Sequence, residues 1–179
     1  MHALPPVTDR DHVRGPAPGE PAAHTLLFYG DFECPSGRQV FLLVRQVQKA
    51  YPGAVRYAFR HFPLRRHEHA LEAAEATEAA AEQGAFWPMH DRLFQHPSGL
   101  SGNDLVMHAG ALGLDARAVR DALREGTYRD RILAGKRAAI AAGVRSSLNL
   151  VVDGTIFLDE EVEDALLDRV VAPLKAAAG

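Results

Sequence analysis

The chain has 179 residues, 47% of them apolar and 24% charged, with a formal net charge of −3. That is enough for one well-cored domain with room for a subdomain, and there is neither a basic stripe for nucleic acid nor an acidic block of the kind found in disordered tails. Cys34 is the only cysteine, so no internal disulfide can staple the fold. No apolar stretch approaches the roughly 20 residues that span a bilayer. The first ten residues lack the basic-then-apolar run of a signal peptide. Together these features predict a soluble cytoplasmic protein with no nucleic-acid and no membrane partner.

Residues 1–23 are rich in Pro and Gly (Pro5, Pro6, Gly15, Pro16, Pro18, Gly19, Pro21) and predict an extended arm on the surface rather than a packed element. Asp11, His12 and Arg14 read as the groups that pin it down. The apolar run Thr25 to Tyr29 reads as a strand covered on both faces. After a turn, Pro35 suits the first helical position, where its missing N–H costs nothing. Cys34 then sits at a helix start, where unpaired amides and the helix dipole favour a thiolate. Val40, Phe41, Val44 and Val47 give that helix one packing face. The segment Tyr51-Pro-Gly-Ala54 is a turn and Val55 to Phe59 a second strand. The two strands and their helix form a βαβ unit, so the strands are expected to be parallel.

From His67 to Ala142 the pattern is helical. Ala70 to Ala81 closes at Gly84, and Phe86 to Phe94 carries Trp87, Met89, Leu93 and Phe94. Ser101 and Asp104 form a capping box ahead of Leu105 to Leu112. Asp115 suits the N-cap of a helix running to Glu125, and Thr127 that of the next. The sheet resumes at Leu148 to Val152, turns at Asp153-Gly154, and returns over Thr155 to Leu158. Asp159 suits the cap of a last helix presenting Val162, Leu166, Leu167 and Val170, which Pro173 is expected to end or kink. The fold class is therefore α/β, in the order β-α-β, helical block, β-β-α. Residues 24–63 and 143–179 make the sheet domain, 64–142 a helical insertion, and 1–23 the arm.

Cys34 is the leading candidate for chemistry, as a nucleophile. A lone thiol can form a mixed disulfide with a partner protein, accept glutathione, be oxidised to sulfenic acid, or pair with Cys34 of a second subunit. Its sequence neighbours are Glu33, which would oppose a thiolate if close, Pro35, Ser36 with a hydroxyl, Gly37, and Arg38, which would favour one. The nine histidines do not predict a metal site. His67 and His69 are only two apart, His61, His90 and His96 are scattered, and no His-x-x-x-His pair with a carboxylate base is present. No resident cofactor is expected.

The segment Gly30-Asp-Phe-Glu-Cys-Pro-Ser-Gly37 resembles the active-site segment of DsbA-like thioredoxin-fold thiol–disulfide oxidoreductases, whose motif is Cys-Pro-x-Cys. Further matching segments follow in family order: Phe59-Arg-His-Phe-Pro-Leu64, His67-Glu-His-Ala70, Ala81-Glu-Gln-Gly-Ala-Phe-Trp87, Met89-His-Asp91, Leu112-Gly-Leu-Asp115 and Ala142-Gly-Val144, with Asp11-His-Val-Arg-Gly-Pro16 ahead of them. The resemblance implies a thioredoxin fold with an inserted helical subdomain, and thiol–disulfide exchange with a protein or small-thiol partner. Similar domains occur behind Na+/H+ antiporters, though no transporter segment is present here. Two departures bear on activity. Gly37 stands where the family has its second cysteine. The family's cis-proline segment aligns with Gly143-Val-Arg-Ser-Ser-Leu-Asn149, so Leu148, preceded by Ser147, replaces the proline. A cis bond before a non-proline residue costs about 2.5–4 kcal/mol, so a trans peptide or a rebuilt loop is expected. A dithiol cycle within one chain is thereby excluded. What is left is monothiol exchange or partner binding at Cys34, a redox-inactive adaptor or binding module, or glutathione-dependent transfer using Ser36.

Overall fold

The apolar run after the arm forms β2 (His24–Gly30), the central strand of a mixed five-stranded sheet. The structure, a computed structural model, describes residues 6–146, 149–158 and 161–178. The 16-residue helix α1 (Pro35–Ala50) carries the chain to β3 (Val55–His61), which lies parallel to β2 with Leu26 opposite Tyr57 and Phe28 opposite Phe59. On the other side of β2, β4 (Asn149–Val152) pairs antiparallel and β5 (Thr155–Phe157) closes the edge. Their turn places Asp153 at φ 48° and Gly154 at φ 86°, the paired left-handed residues that a type I′ hairpin needs.

Five helices stand between β3 and β4: α2 (Ala70–Ala81), α3 (Phe86–Gln95), α4 (Gly102–Ala111), α5 (Ala116–Glu125) and α6 (Arg129–Ala141). The capping box of Ser101 and Asp104 opens α4, and the Asp115 carboxylate accepts the Arg117 and Ala118 N–H groups to open α5. Alternation along β2 divides the core between the two faces of the sheet. Leu26 and Phe28, with Tyr57, Phe59 and Leu150, pack on the Val40, Phe41, Val44 and Val47 face of α1 and on Leu93 and Phe94 of α3. Leu27 and Tyr29, with Ala58 and Val151, meet Phe62 and Ala139 of α6. This is the thioredoxin-type order with its helical insertion, as the resemblance implies.

Three sequence readings need correction. The arm is not merely extended: His12–Arg14 is a strand, β1, paired antiparallel with β3 through His12↔Phe59 and Arg14↔Tyr57. Without it, β3 would present an open ladder at the edge of the sheet, and pairing satisfies those backbone groups. Thr127 is not the N-cap of α6. It is drawn into the closure of α5 behind left-handed Gly126, its N–H bonded to the Ala122 carbonyl, and Tyr128 holds the cap position without a side-chain bond. Pro173 does not end the last helix. Helix α7 (Glu161–Leu166) passes through a π-helical turn (Leu167–Val171) into α8 (Ala172–Ala178), and Pro173 lies in the first turn of α8. Having no N–H, Pro173 cannot continue the ladder of the preceding turns, and the wider π-helical turn stands directly before it. Val162, Leu166 and Val170 are buried as expected, but Leu167 is 49% exposed. The expected cap Asp159 lies outside the described residues.

Candidate functional site

Strand β2 ends where only glycine fits: a Cβ on Gly30 would lie 2.3 Å from the Phe59 ring. The chain then makes a tight turn. The Cys34 N–H donates to the Asp31 carbonyl at 3.2 Å, and Cys34, with φ −79° and ψ 118°, is the N-cap of α1. Its own carbonyl accepts the Arg38 N–H at 3.2 Å, and Pro35 follows in the first helical turn. The sequence reading of a cysteine at a helix start therefore matches this geometry. The thiol is nonetheless covered, since Cys34 is 4% exposed. Pro35 is exposed and Ser36 half-buried.

The two charged neighbours are spent elsewhere. The Glu33 carboxylate accepts the His69 N–H at 2.8 Å, fastening the residue ahead of α2 to the Cys34 turn. The Arg38 guanidinium donates to the Phe94 carbonyl at 2.9 Å, tying α1 to the end of α3. Each is hydrogen-bonded to the scaffold around the thiol.

The residue that organises this turn is Asp31, which sequence reasoning passed over. It is 1% exposed, and its carboxylate accepts three hydrogen bonds: Glu33 N–H at 2.9 Å, Leu64 N–H at 2.8 Å and His67 Nδ1 at 2.9 Å. The bond two residues on is an Asx turn, a signal already legible in Gly30-Asp31-Phe32-Glu33. Asp31 and Glu33 together lock segment 64–69 against the Cys34 turn, and Lys136 of α6 donates to the Pro63 carbonyl at the base of that segment. Burial pulls the Lys136 ammonium below its usual range, against the pull of Asp31.

Gly37 faces back into the turn. A Cβ built there would stand 3.4 Å from Cys34 Cβ, 3.2 Å from the Asp31 carbonyl and 3.7 Å from the Phe28 ring. Disulfide-bonded cysteines have Cβ atoms about 3.5–4.5 Å apart, so the position lies at the short edge of the spacing for a second sulfur while carrying none. Ser147 and Leu148 lie outside the described residues, and no cis peptide bond occurs among the described ones. Among the described residues, no group of His, Cys, Asp or Glu side chains is arranged to hold a metal ion.

The arm is anchored by a second polar system. Asp11 pairs with Arg60, which also reaches Tyr29 Oη. Glu78 of α2 accepts from His12 at 3.1 Å and His61 at 3.0 Å on one oxygen, and from Arg131 on the other. Burial pushes the Glu78 carboxyl up, but the hydrogen bonds and charge attraction of His12 and His61 together outweigh it and hold the group well below the carboxylate range. Burial lowers His61, more than Glu78 raises it.

Asp91 accepts from Arg14 at 2.9 Å, Arg45 at 2.8 Å and His90 Nδ1 at 2.9 Å, and Trp87 donates to the Val13 carbonyl at 3.0 Å. His90 is fully buried among Phe32, Phe41, Phe59, Trp87 and Phe94, with ring centroids 4.7–5.7 Å away. Its Nε2 has no hydrogen-bond partner among the described residues. Burial lowers its pKa to about 4, despite Asp91. The large apolar residues flagged in the sequence are thus core and an anchor for the arm: Met89 and Phe94 are fully buried, and Trp87 holds β1.

Residues 11–171 match the family described as Thioredoxin. Among curated proteins, the chain is 43% identical over 152 residues to Na(+)/H(+) antiporter NhaA 3 of Salinispora tropica; the match covers 84% of this chain and 23% of that protein. The chain thus spans about a quarter of the length of such a relative. In fold it is similar to oxidised BdbD from Bacillus subtilis, with a TM-score of 0.82 at 17% identity over 97% of this chain and 98% of that one. It is likewise similar to a thioredoxin-like oxidoreductase from Silicibacter pomeroyi, with a TM-score of 0.72 at 22% identity over 92% and 94% of the two chains. No described helix is long and apolar enough to cross a membrane.

Proposed function

This chain belongs to the thioredoxin family, and we propose that within it the protein is a DsbA-like monothiol, in which Cys34 exchanges disulfides with a protein or small-thiol partner and no dithiol cycle runs. The supporting observation is Cys34 at the N-cap of α1, with sulfur-free Gly37 one turn on at a disulfide-compatible spacing. In the exchange, the Cys34 sulfur attacks one sulfur of a partner disulfide. The Cys34–partner S–S bond forms as the partner's own breaks, and the second partner sulfur leaves as a thiolate. Release needs an external thiol, such as glutathione, to attack the mixed disulfide and return Cys34. The Ser36 hydroxyl cannot do so. A cytoplasmic setting, whose glutathione pool supplies that thiol, completes the proposal.

The test is intact-mass analysis of the folded protein with oxidised glutathione. One glutathione adduct is expected, absent in Cys34→Ser and persisting until reductant is added. If the native protein forms no adduct while the denatured chain does, the proposal fails.

The 4% exposure of Cys34 favours a second reading, a redox-inactive thioredoxin-fold binding module. On that reading, Cys34→Ser leaves partner capture intact; loss of capture in that variant rejects it.

A further inference from the structure

At the end of α1 farthest from Cys34 lies a cleft of about 570 Å³, lined by Arg14 of β1, Arg45, Gln48 and Lys49 of α1, and Tyr51 and Pro52 of the following turn. A 16-residue helix is about 24 Å long, so the cleft is far from the thiol. We propose that this cleft binds a small organic anion, a carboxylate or phosphate that also carries an O–H or N–H donor.

The charge count gives the sign. Asp91 is the one carboxylate shared by Arg14 and Arg45, and Lys49 has no ion-pair partner among the described residues. Three cations against one carboxylate leave two positive charges in surplus. The C-terminus of α1 contributes only about half a negative charge, which does not cancel them.

The polar atoms give the shape. Two of the lining residues each carry a buried polar atom without a hydrogen-bond partner among the described residues, the donor Arg14 Nη1 and the acceptor Gln48 Oε1. Buried polar groups are nearly always paired, and each exception calls for an explanation. The Arg14 guanidinium is already fixed, with Nη2 on Asp91 and Cζ 4.4 Å from the Trp87 ring centroid, so Nη1 is held in place before any ligand arrives. An anionic oxygen satisfies Arg14 and Lys49, a neighbouring O–H or N–H satisfies Gln48, and Tyr51 and Pro52 provide an apolar wall. The volume lies within the usual range for small-molecule sites.

Isothermal titration of the full chain with sn-glycerol 3-phosphate and with malate tests this, the two probes separating phosphate from carboxylate. Saturable binding of at least one is expected. It should weaken tenfold or more in Lys49→Ala and in Gln48→Leu, and persist in Cys34→Ser. Lys49 is exposed and Gln48 half-buried, and an unchanged melting temperature verifies the fold. No saturable heat from either probe at about 10 mM, or equal affinity in the two variants, overturns the proposal. Spermidine, a cation, should give no saturable signal; if it binds as the anions do, the assignment is wrong.

Discussion

Two buried titratable groups flank the same aromatic core, and they are supported very differently. Asp31, beneath the Cys34 turn, has three donors on its carboxylate. His90, beneath the arm, has Asp91 on one nitrogen and only rings around the other. A buried charge is tolerable when hydrogen bonds replace its hydration, and a buried imidazole with one partner stays neutral. The turn that holds the thiol is therefore built on a satisfied charge, while the junction holding β1 against α3 is built on a neutral group that acid can upset.

The comparison is sharpened most by removing the better-supported group. Asp31→Ala strands two backbone donors and the His67 ring nitrogen, and should cost roughly 3 kcal/mol or more, read as a shift of the urea midpoint; Asp31→Asn should recover part of it. A loss under about 0.5 kcal/mol would mean that Asp31 does not organise the turn.

Acid should act on the other group. The unfolded chain protonates His90 near the ordinary 6.5, whereas the fold resists protonation down to about 4. Between those values the unfolded state holds more protons, so stability falls as pH drops from 6.5 to 4, by about 3 kcal/mol. His61 adds to this loss in the same direction, and the depressed carboxyls of Asp91, Glu78 and Asp11 extend it as pH falls further. Urea melts across this range should show the slope, and His90→Leu should flatten it; an unchanged slope in that variant would remove His90 from the account.

Gly30→Ala tests the packing between the two regions. Its Cβ would collide with the Phe59 ring, and overpacking of this sort costs roughly 1–3 kcal/mol, measured as a lower melting temperature. The smallest expected change in stability comes from Gly37→Cys, whose Cβ has only to displace neighbours by a few tenths of an ångström. Its effect is on chemistry: oxidation should close a Cys34-to-37 disulfide, seen as a mass loss of two hydrogens, and addition of Leu148→Pro should confer reductase activity in an insulin assay. A free thiol pair after oxidation would show that the turn geometry is misassigned.

Much of the fold was legible because it rests on local rules. The continuous apolar run of β2, Pro35 at the start of α1, the Ser101–Asp104 box and the Asp153-Gly154 hairpin each carry their instruction within a few residues. What escaped was set by partners distant in sequence. Nothing in His12-Val13-Arg14 announces a strand, because its reason is the exposed edge of β3 more than 40 residues later. The Cys34 site divided along the same line. Its position at a helix start could be read from Pro35, but Asp31 reads as an ordinary turn residue until Leu64 and His67 are seen folded onto it. Glu33 and Arg38 could be named as neighbours of the sulfur, but their bonds to His69 and Phe94 could not be read from the sequence.

The short strand β1 also has a consequence for handling the molecule. It occupies the outer rim of β3, a seven-residue segment of high β-propensity whose backbone would otherwise be open to another strand. Proteolytic nicking near Gly19, or any acid-induced release of the arm, would uncover a template for intermolecular strand addition. Self-association and precipitation, rather than simple unfolding, are the failure this protein should show first when its N-terminal segment comes loose.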